Sequence, residues 1–78
     1  SAVTIEETHD VRVSGFTLTS ASGGDGVTIM SSTDITISDN IIAGNQYEGI
    51  NAFEVERLHI LRNDIAANGR FSPRGSDR

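Results

Sequence analysis

The most regular feature of this sequence is a short run of alternating apolar and polar residues that recurs along the chain. In each run Val, Ile or Leu occupies every second position, and the runs start at Val11, Ile35 and Leu58. The spacings are 35 − 11 = 24 and 58 − 35 = 23 residues. Alternation with a period of two predicts β-strands with one apolar face. Recurrence at a nearly fixed interval predicts a stack of similar units.

A second series of apolar residues follows the same period and extends the predicted unit. Val3, Val27 and Ile50 each lie two positions before a further apolar residue, and Gly, Asn, Asp and Ser separate the runs, as is typical of turns. A short strand cannot bury its apolar row alone, but stacking buries the rows as continuous columns. The predicted inward columns are Val3/Val27/Ile50, Ile5/Ile29/Ala52, Val11/Ile35/Leu58, Val13/Ile37/Ile60 and Leu18/Ile42/Ile65.

Asparagines also recur at the period. Asn40 aligns with Asn63, and Asn45 with Asn68. We expect Asn40 and Asn63 to form an amide ladder at a bend, with Phe16 in the equivalent place of the first coil. Helical repeats would need apolar spacings of three and four, and a β-sandwich gives no reason for Asn and Gly to recur at a fixed interval.

The sequence therefore predicts an all-β fold, a parallel β-helix (solenoid) with coils of 23–24 residues. Residues 1–69 are expected to form the coils: a partial coil at 1–10, coils at 11–34 and 35–57, and a partial coil at 58–69. Residues 70–78 break the period and are predicted to be a polar C-terminal tail or an outward loop.

The pattern resembles the right-handed, single-stranded parallel β-helix repeat superfamily over roughly residues 2 to 69. This superfamily includes pectate lyases, polygalacturonases, mannuronan epimerases and phage tailspikes. The resemblance implies a module of a carbohydrate-associated protein, which contributes scaffold or part of the substrate groove of a polyuronate lyase, epimerase or hydrolase. It also implies a uronate-type polysaccharide as partner and an extracellular or periplasmic location. The alternative is a non-catalytic structural or interaction module, such as a tailspike or adhesion stem segment or an isolated repeat fragment. Self-association or flanking coils of a longer chain would then cover the open ends of the stack.

Two stretches are similar to the polygalacturonase pattern of Asn-Thr-Asp-Gly followed by Gln-Asp-Asp. They are Gly23-Gly-Asp-Gly26 and Asn45-Gln-Tyr-Glu48. The resemblance implies catalytic roles for Asp25 and Glu48. Tyr47 stands where the third carboxylate belongs, however, and no Gly-His-Gly follows.

The stretch Asp25-Gly-Val27 is also similar to mannuronan epimerases. In that family a catalytic Asp-Pro-His-Glu follows, whereas Thr28-Ile-Met-Ser31 stands here. Neither comparison supplies a complete catalytic set. We therefore expect little or no activity from the isolated chain, and an enzymatic parent (a lyase, epimerase or hydrolase) would complete its site outside it.

Three groups of side chains are candidates for a site. Asp25 and Glu48 should lie on adjacent rungs about 4.8 Å apart, where two carboxylates would couple or attract Ca²⁺, unless both are solvated turn residues. No other cofactor or metal is expected. His59 should share an outward row with Arg12 and Thr36. Arg57 and Arg62 lie nearby and are candidates to bind a uronate carboxylate, beside which His59 would act as the base, unless these charges only solvate the coil.

Phe53 should stack outward on Met30, with Tyr47 at the preceding turn. This arrangement suits a platform for sugar rings or, equally, packing against a loop or a partner chain.

The composition of the chain argues against several other classes of function. The net charge is −5, and all six basic residues are arginines with no clustering into a basic patch, so nucleic-acid binding is not expected. No apolar run reaches the roughly 20 residues of a membrane span. The chain has no cysteine, so a disulfide framework and a thiolate metal site are both excluded.

Overall fold

The structure, a computed structural model, describes residues 1–19 and 23–68. The described residues form seven strands and no helix that could cross a membrane. The strands are β1 (Val3–Glu6), β2 (His9–Ser14), β3 (Thr17–Leu18), β4 (Val27–Ser38), β5 (Ile41–Ala43), β6 (Ile50–Leu61) and β7 (Asp64–Ala66).

All the strand pairs are parallel, and they connect residues one coil apart. Strands β1 and β2 pair with the two halves of β4, β6 pairs with the other edge of β4, and β3, β5 and β7 form a second sheet. The register aligns Val3 with Val27 and Ile50, and all five predicted columns are confirmed in the same way. The predicted parallel β-helix is therefore confirmed.

Each coil has three flat faces joined by bends. The first face comprises residues 3–6, 27–30 and 50–53. The second face comprises residues 11–14, 35–38 and 58–61. The third face comprises residues 17–18, 41–43 and 64–66.

Strands β4 and β6 continue through the bend between the first and second faces, because left-handed residues turn the backbone there. Ser31 and Asp34 turn β4, and Glu54 and Arg57 turn β6, with φ between 50° and 57°. Asp39 and Arg62 turn the chain from the second face to the third in the same conformation. A non-glycine residue in this region costs about 1–2 kcal/mol, which the stacking of the faces must offset.

The hydrophobic core is most completely buried in the middle coil. Its inward side chains are 0% exposed: Val27, Ile29, Ile35, Ile37 and Ile42. In the outer coils Ile5, Leu18 and Ile50 are also buried, whereas the other inward residues that pack against this cluster, including Val13 and Ile60, are only partly buried. Each coil therefore depends on both of its neighbours to cover its apolar residues.

The predicted asparagine ladder is confirmed at the bend before the third face. Asn40 is 2% exposed, and its Nδ2 donates to Asn63 Oδ1 and to the Val13 carbonyl, both at 3.0 Å. Its Oδ1 accepts from the Phe16 backbone N–H at 2.9 Å, so Phe16 takes the predicted place in the first coil. A second ladder connects Asn45 Nδ2 to Asn68 Oδ1 at 2.6 Å. These amides satisfy backbone groups that the bends would otherwise leave buried and unpaired.

The two coil lengths differ by one residue at a single place. Leu18 pairs with Ile42, 24 residues on, whereas the Tyr47 N–H donates to the Gly24 carbonyl at a spacing of 23. The extra residue of the first coil therefore lies between Leu18 and Gly23. Gly26, just before the first face, has no room for a Cβ, which would lie 2.6 Å from the Gly49 carbonyl oxygen. The coil boundaries drawn from the sequence stay a prediction, and residues 69–78, including the proposed tail, lie outside the described residues.

Candidate functional site

An outward row on the second face joins all three coils. Arg12 pairs in register with Thr36, and Thr36 with His59, while their neighbours in the strands point into the core. The row lines a shallow groove of about 390 Å³ together with Asp10 and Asp34. The predicted row of His59, Arg12 and Thr36 is therefore present. The catalytic role of His59 stays a prediction.

Arg57 and Arg62, which were predicted to bind substrate, each form a bidentate ion pair one coil away. Arg57 Nη2 lies 2.9 Å from Asp34 Oδ2, with its Nε on the other carboxylate oxygen. Arg62 Nε and Nη2 lie 2.8 and 3.1 Å from the oxygens of Asp39. These hydrogen bonds lower the pKa of both aspartates and raise the pKa of both arginines.

The ion pairs change which cation is available to a ligand on the second face. Both paired guanidinium groups already direct two donors at a carboxylate, whereas Arg12 makes no ion pair with any described residue. Asp34 and Asp39 were not predicted as partners of these arginines. Their spacing of 23 residues from Arg57 and Arg62 was the signal that could have identified them.

Asp25 and Glu48 lie in the connections that precede the first face. Asp25 Oδ1 accepts from the Glu48 backbone N–H at 2.9 Å, and its Oδ2 accepts from Thr28 Oγ1 and Asn51 Nδ2 at 3.1 and 3.2 Å. Glu48 is 2% exposed. Asp25 thus joins two coils through its hydrogen bonds, and the catalytic roles of both acids stay predictions.

A metal site has no further support from the described residues. No three His, Asp or Glu side chains within residues 1–19 and 23–68 are grouped as metal ligands. Binding of Ca²⁺ by the predicted carboxylate pair stays a prediction.

A second groove, about 570 Å³ in volume, lies on the first face. Its lining residues are Thr28, Ile29, Met30, Asn51, Ala52 and Phe53. Met30 and Phe53 are paired in register, as predicted, and Phe53 is 62% exposed. Tyr47 is also exposed, but it lies in the connection before β6 and does not line the groove. We call this feature the first-face groove.

Comparison with protein families agrees with the observed fold. The chain matches the family model described as the right-handed beta helix region over residues 1–75, which is nearly its whole length. Comparisons with curated proteins and with solved structures found no match. The parallel pairing, the three-faced coils and this match together show that the chain belongs to the right-handed β-helix family.

Proposed function

We propose that this β-helix module binds an acidic, uronate-type polysaccharide along its second face without cleaving it. The observation that carries the proposal is the straight outward row of Arg12, Thr36 and His59, one residue per coil. Parallel rungs repeat about every 4.8 Å, which is close to the length of one pyranose unit in an extended chain. A polymer lying along the stack would therefore present one sugar to each coil.

The chemistry of the row suits a uronate. Arg12 offers a planar fork of donors that matches a carboxylate, and no carboxylate among the described residues already pairs with it. Thr36 and His59 offer hydrogen bonds to ring hydroxyls on the next two rungs. Uronate polymers occur in walls, capsules and matrices outside the cell, so the proposal includes an extracellular or periplasmic location.

The arrangement of the candidate acids argues for binding rather than catalysis. Asp25 is occupied by three hydrogen bonds, and Glu48 is buried. Both lie before the first face, whereas His59 lies on the second face. A general acid and base must reach one bond together, and these three residues belong to different parts of the coil.

The test is a calorimetric titration of the chain with oligogalacturonate and, separately, with a neutral glucan oligomer of equal length. We expect the acidic oligomer alone to bind. Arg12→Gln should weaken binding by about ten-fold, the lower end of the effect of a charge-assisted hydrogen bond, because the site is open to water. His59→Ala should weaken it less.

A matched control separates this site from general attraction between charges. The variant Thr17→Asp lowers the net charge by one, as Arg12→Gln does, but it lies at an exposed position of the third face and leaves the row intact. It should bind the oligomer as the unmodified chain does. Equal weakening in the control and in Arg12→Gln, or no binding of oligogalacturonate at all, would overturn the proposal.

A second candidate function is a structural module that associates through its outer coils. The partial burial of Val13 and Ile60, in contrast to the full burial of Ile37 between them, favours this function. A further coil, from the same chain or from another copy, would cover them. Sedimentation equilibrium over a wide concentration range tests it, since a folded monomer at every concentration would exclude self-association.

A further inference from the structure

The first-face groove combines an exposed aromatic ring with a hydrogen-bond acceptor at its polar end. Asn51 directs its amide nitrogen at Asp25 Oδ2, so its carbonyl oxygen is left to accept a hydrogen bond. Thr28 donates its hydroxyl proton to the same carboxylate oxygen, and its oxygen lies 2.5 Å from Ser1 Oγ. Thr28 and Asp25 are thus already hydrogen-bonded, and the Asn51 carbonyl oxygen is the acceptor that the polar end of the groove offers to a ligand that brings donors.

The charges around the groove also favour a ligand that carries positively charged donors. Glu6 continues the outward column of Met30 and Phe53 into the first coil, and Asp25 lies behind the polar end. Glu54 follows Phe53 at the bend. The described arginines and histidines all lie at the second face or at the bends that border it. Apart from the Ser1 ammonium group near Thr28, the charged groups around the groove are therefore acidic, and an anionic ligand would meet mostly like charge on the first face.

We infer that the first-face groove is a second binding site, for a polymer of amino sugars that carry protonated amines. The protonated amine supplies three donors, which the Asn51 carbonyl oxygen and the exposed carboxylate of Glu6 can accept. The apolar face of a pyranose ring, or the ammonium group itself, packs on the exposed ring of Phe53. Met30 extends the apolar floor to the next coil. This site is independent of the second-face row, since the two share no residue.

The charge and shape of the groove distinguish this ligand from others. Both grooves have carboxylates nearby, but only the second-face groove is lined by an arginine and a histidine that can bind a uronate. The polymer proposed for the second face therefore does not fit here. A lysine-rich peptide would share the positive charge but lacks a rigid ring to stack on Phe53. The dependence of binding on Phe53 therefore separates an amino sugar from a basic peptide.

The experiment titrates the chain with a glucosamine hexamer, its fully N-acetylated counterpart and an oligolysine of equal charge. We expect the glucosamine hexamer to bind most tightly. Acetylation, which removes the positive charges, should weaken binding at least five-fold. Phe53→Ala should weaken it about two- to five-fold, the size of an exposed cation–π contact. Glu6→Gln should weaken it by a similar factor.

Phe16→Ala is the matched control, because Phe16 is 56% exposed and lies outside the groove. It should leave binding of the glucosamine hexamer unchanged. Circular dichroism of each variant would confirm that the fold is kept. The inference is overturned if the glucosamine hexamer does not bind, if the acetylated hexamer binds equally well, or if oligolysine binds as tightly and Phe53→Ala has no effect.

Discussion

The asparagine ladder allows a quantitative prediction about the stability of the coil stack. Replacing Asn40 by Ala removes the acceptor of the Phe16 N–H and the donor to the Val13 carbonyl. It also removes one of the two hydrogen bonds to Asn63 Oδ1. The other one, from the backbone N–H of residue 40, remains. Two backbone groups at the bend are left without their partner.

Each unsatisfied group costs about 1–3 kcal/mol, and the bend is only partly shielded from water, so we expect a loss of about 2–4 kcal/mol. A chain of this length has a free energy of unfolding of about 4–12 kcal/mol. Asn40→Ala should therefore lower the melting temperature by at least about 8 °C, measured by circular dichroism.

Asn51→Ala is the matched control, since Asn51 is a partly buried amide on the outer side of the coil that donates a hydrogen bond to Asp25. We expect it to cost about 1 kcal/mol or less. Equal losses in the two variants would refute the argument that buried backbone groups, rather than any amide contact, make the ladder important.

Three further predictions follow from the core, the ion pairs and the candidate acids. Ile37→Asp should prevent folding because it buries an unpaired charge, whereas Thr36→Asp should be tolerated; equal thermal melts would contradict the inward and outward assignment. The lowered pKa of Asp34 and Asp39 means that their ion pairs stabilise the fold above the ordinary value of 3.8 and that this stabilisation is lost as the pH falls through the lowered pKa. The double variant Asp34→Asn/Asp39→Asn should therefore have a lower melting temperature than the unmodified chain near neutral pH, and the two melting temperatures should converge in strong acid. The difference should be small because both carboxylates are exposed. A constant difference across the pH range would contradict this linkage. Pectate, alginate and polygalacturonate should not be turned over, and turnover that Asp25→Asn abolishes would show that the chain is catalytic.

The period of the sequence predicted the columns and the ladder because parallel stacking repeats every contact at a fixed spacing. Once Val11, Ile35 and Leu58 are aligned, each neighbouring residue is aligned as well. The same logic placed Asn40 over Asn63. Register is a property of the whole strand, so it can be read from a pattern of residue types.

Features that depend on local geometry could not be read in this way. The left-handed bends fall on Ser31 and Arg57, and these residue types, unlike glycine, do not predict a positive φ. The hydrogen bonds of Asp25 depend on how two connections pack together rather than on the repeat. Glu48 is buried although acids in turns are usually solvated.

The single extra residue between Leu18 and Gly23 indicates where this architecture can accept new material. The coil before it and the coil after it remain in register on all three faces, so a change of length at this connection does not propagate into the sheets. Loop closure becomes costlier only slowly as a loop grows. The connection between the third face and the next first face is therefore a graft point, at which a peptide or a whole recognition loop could be inserted while the scaffold keeps its shape.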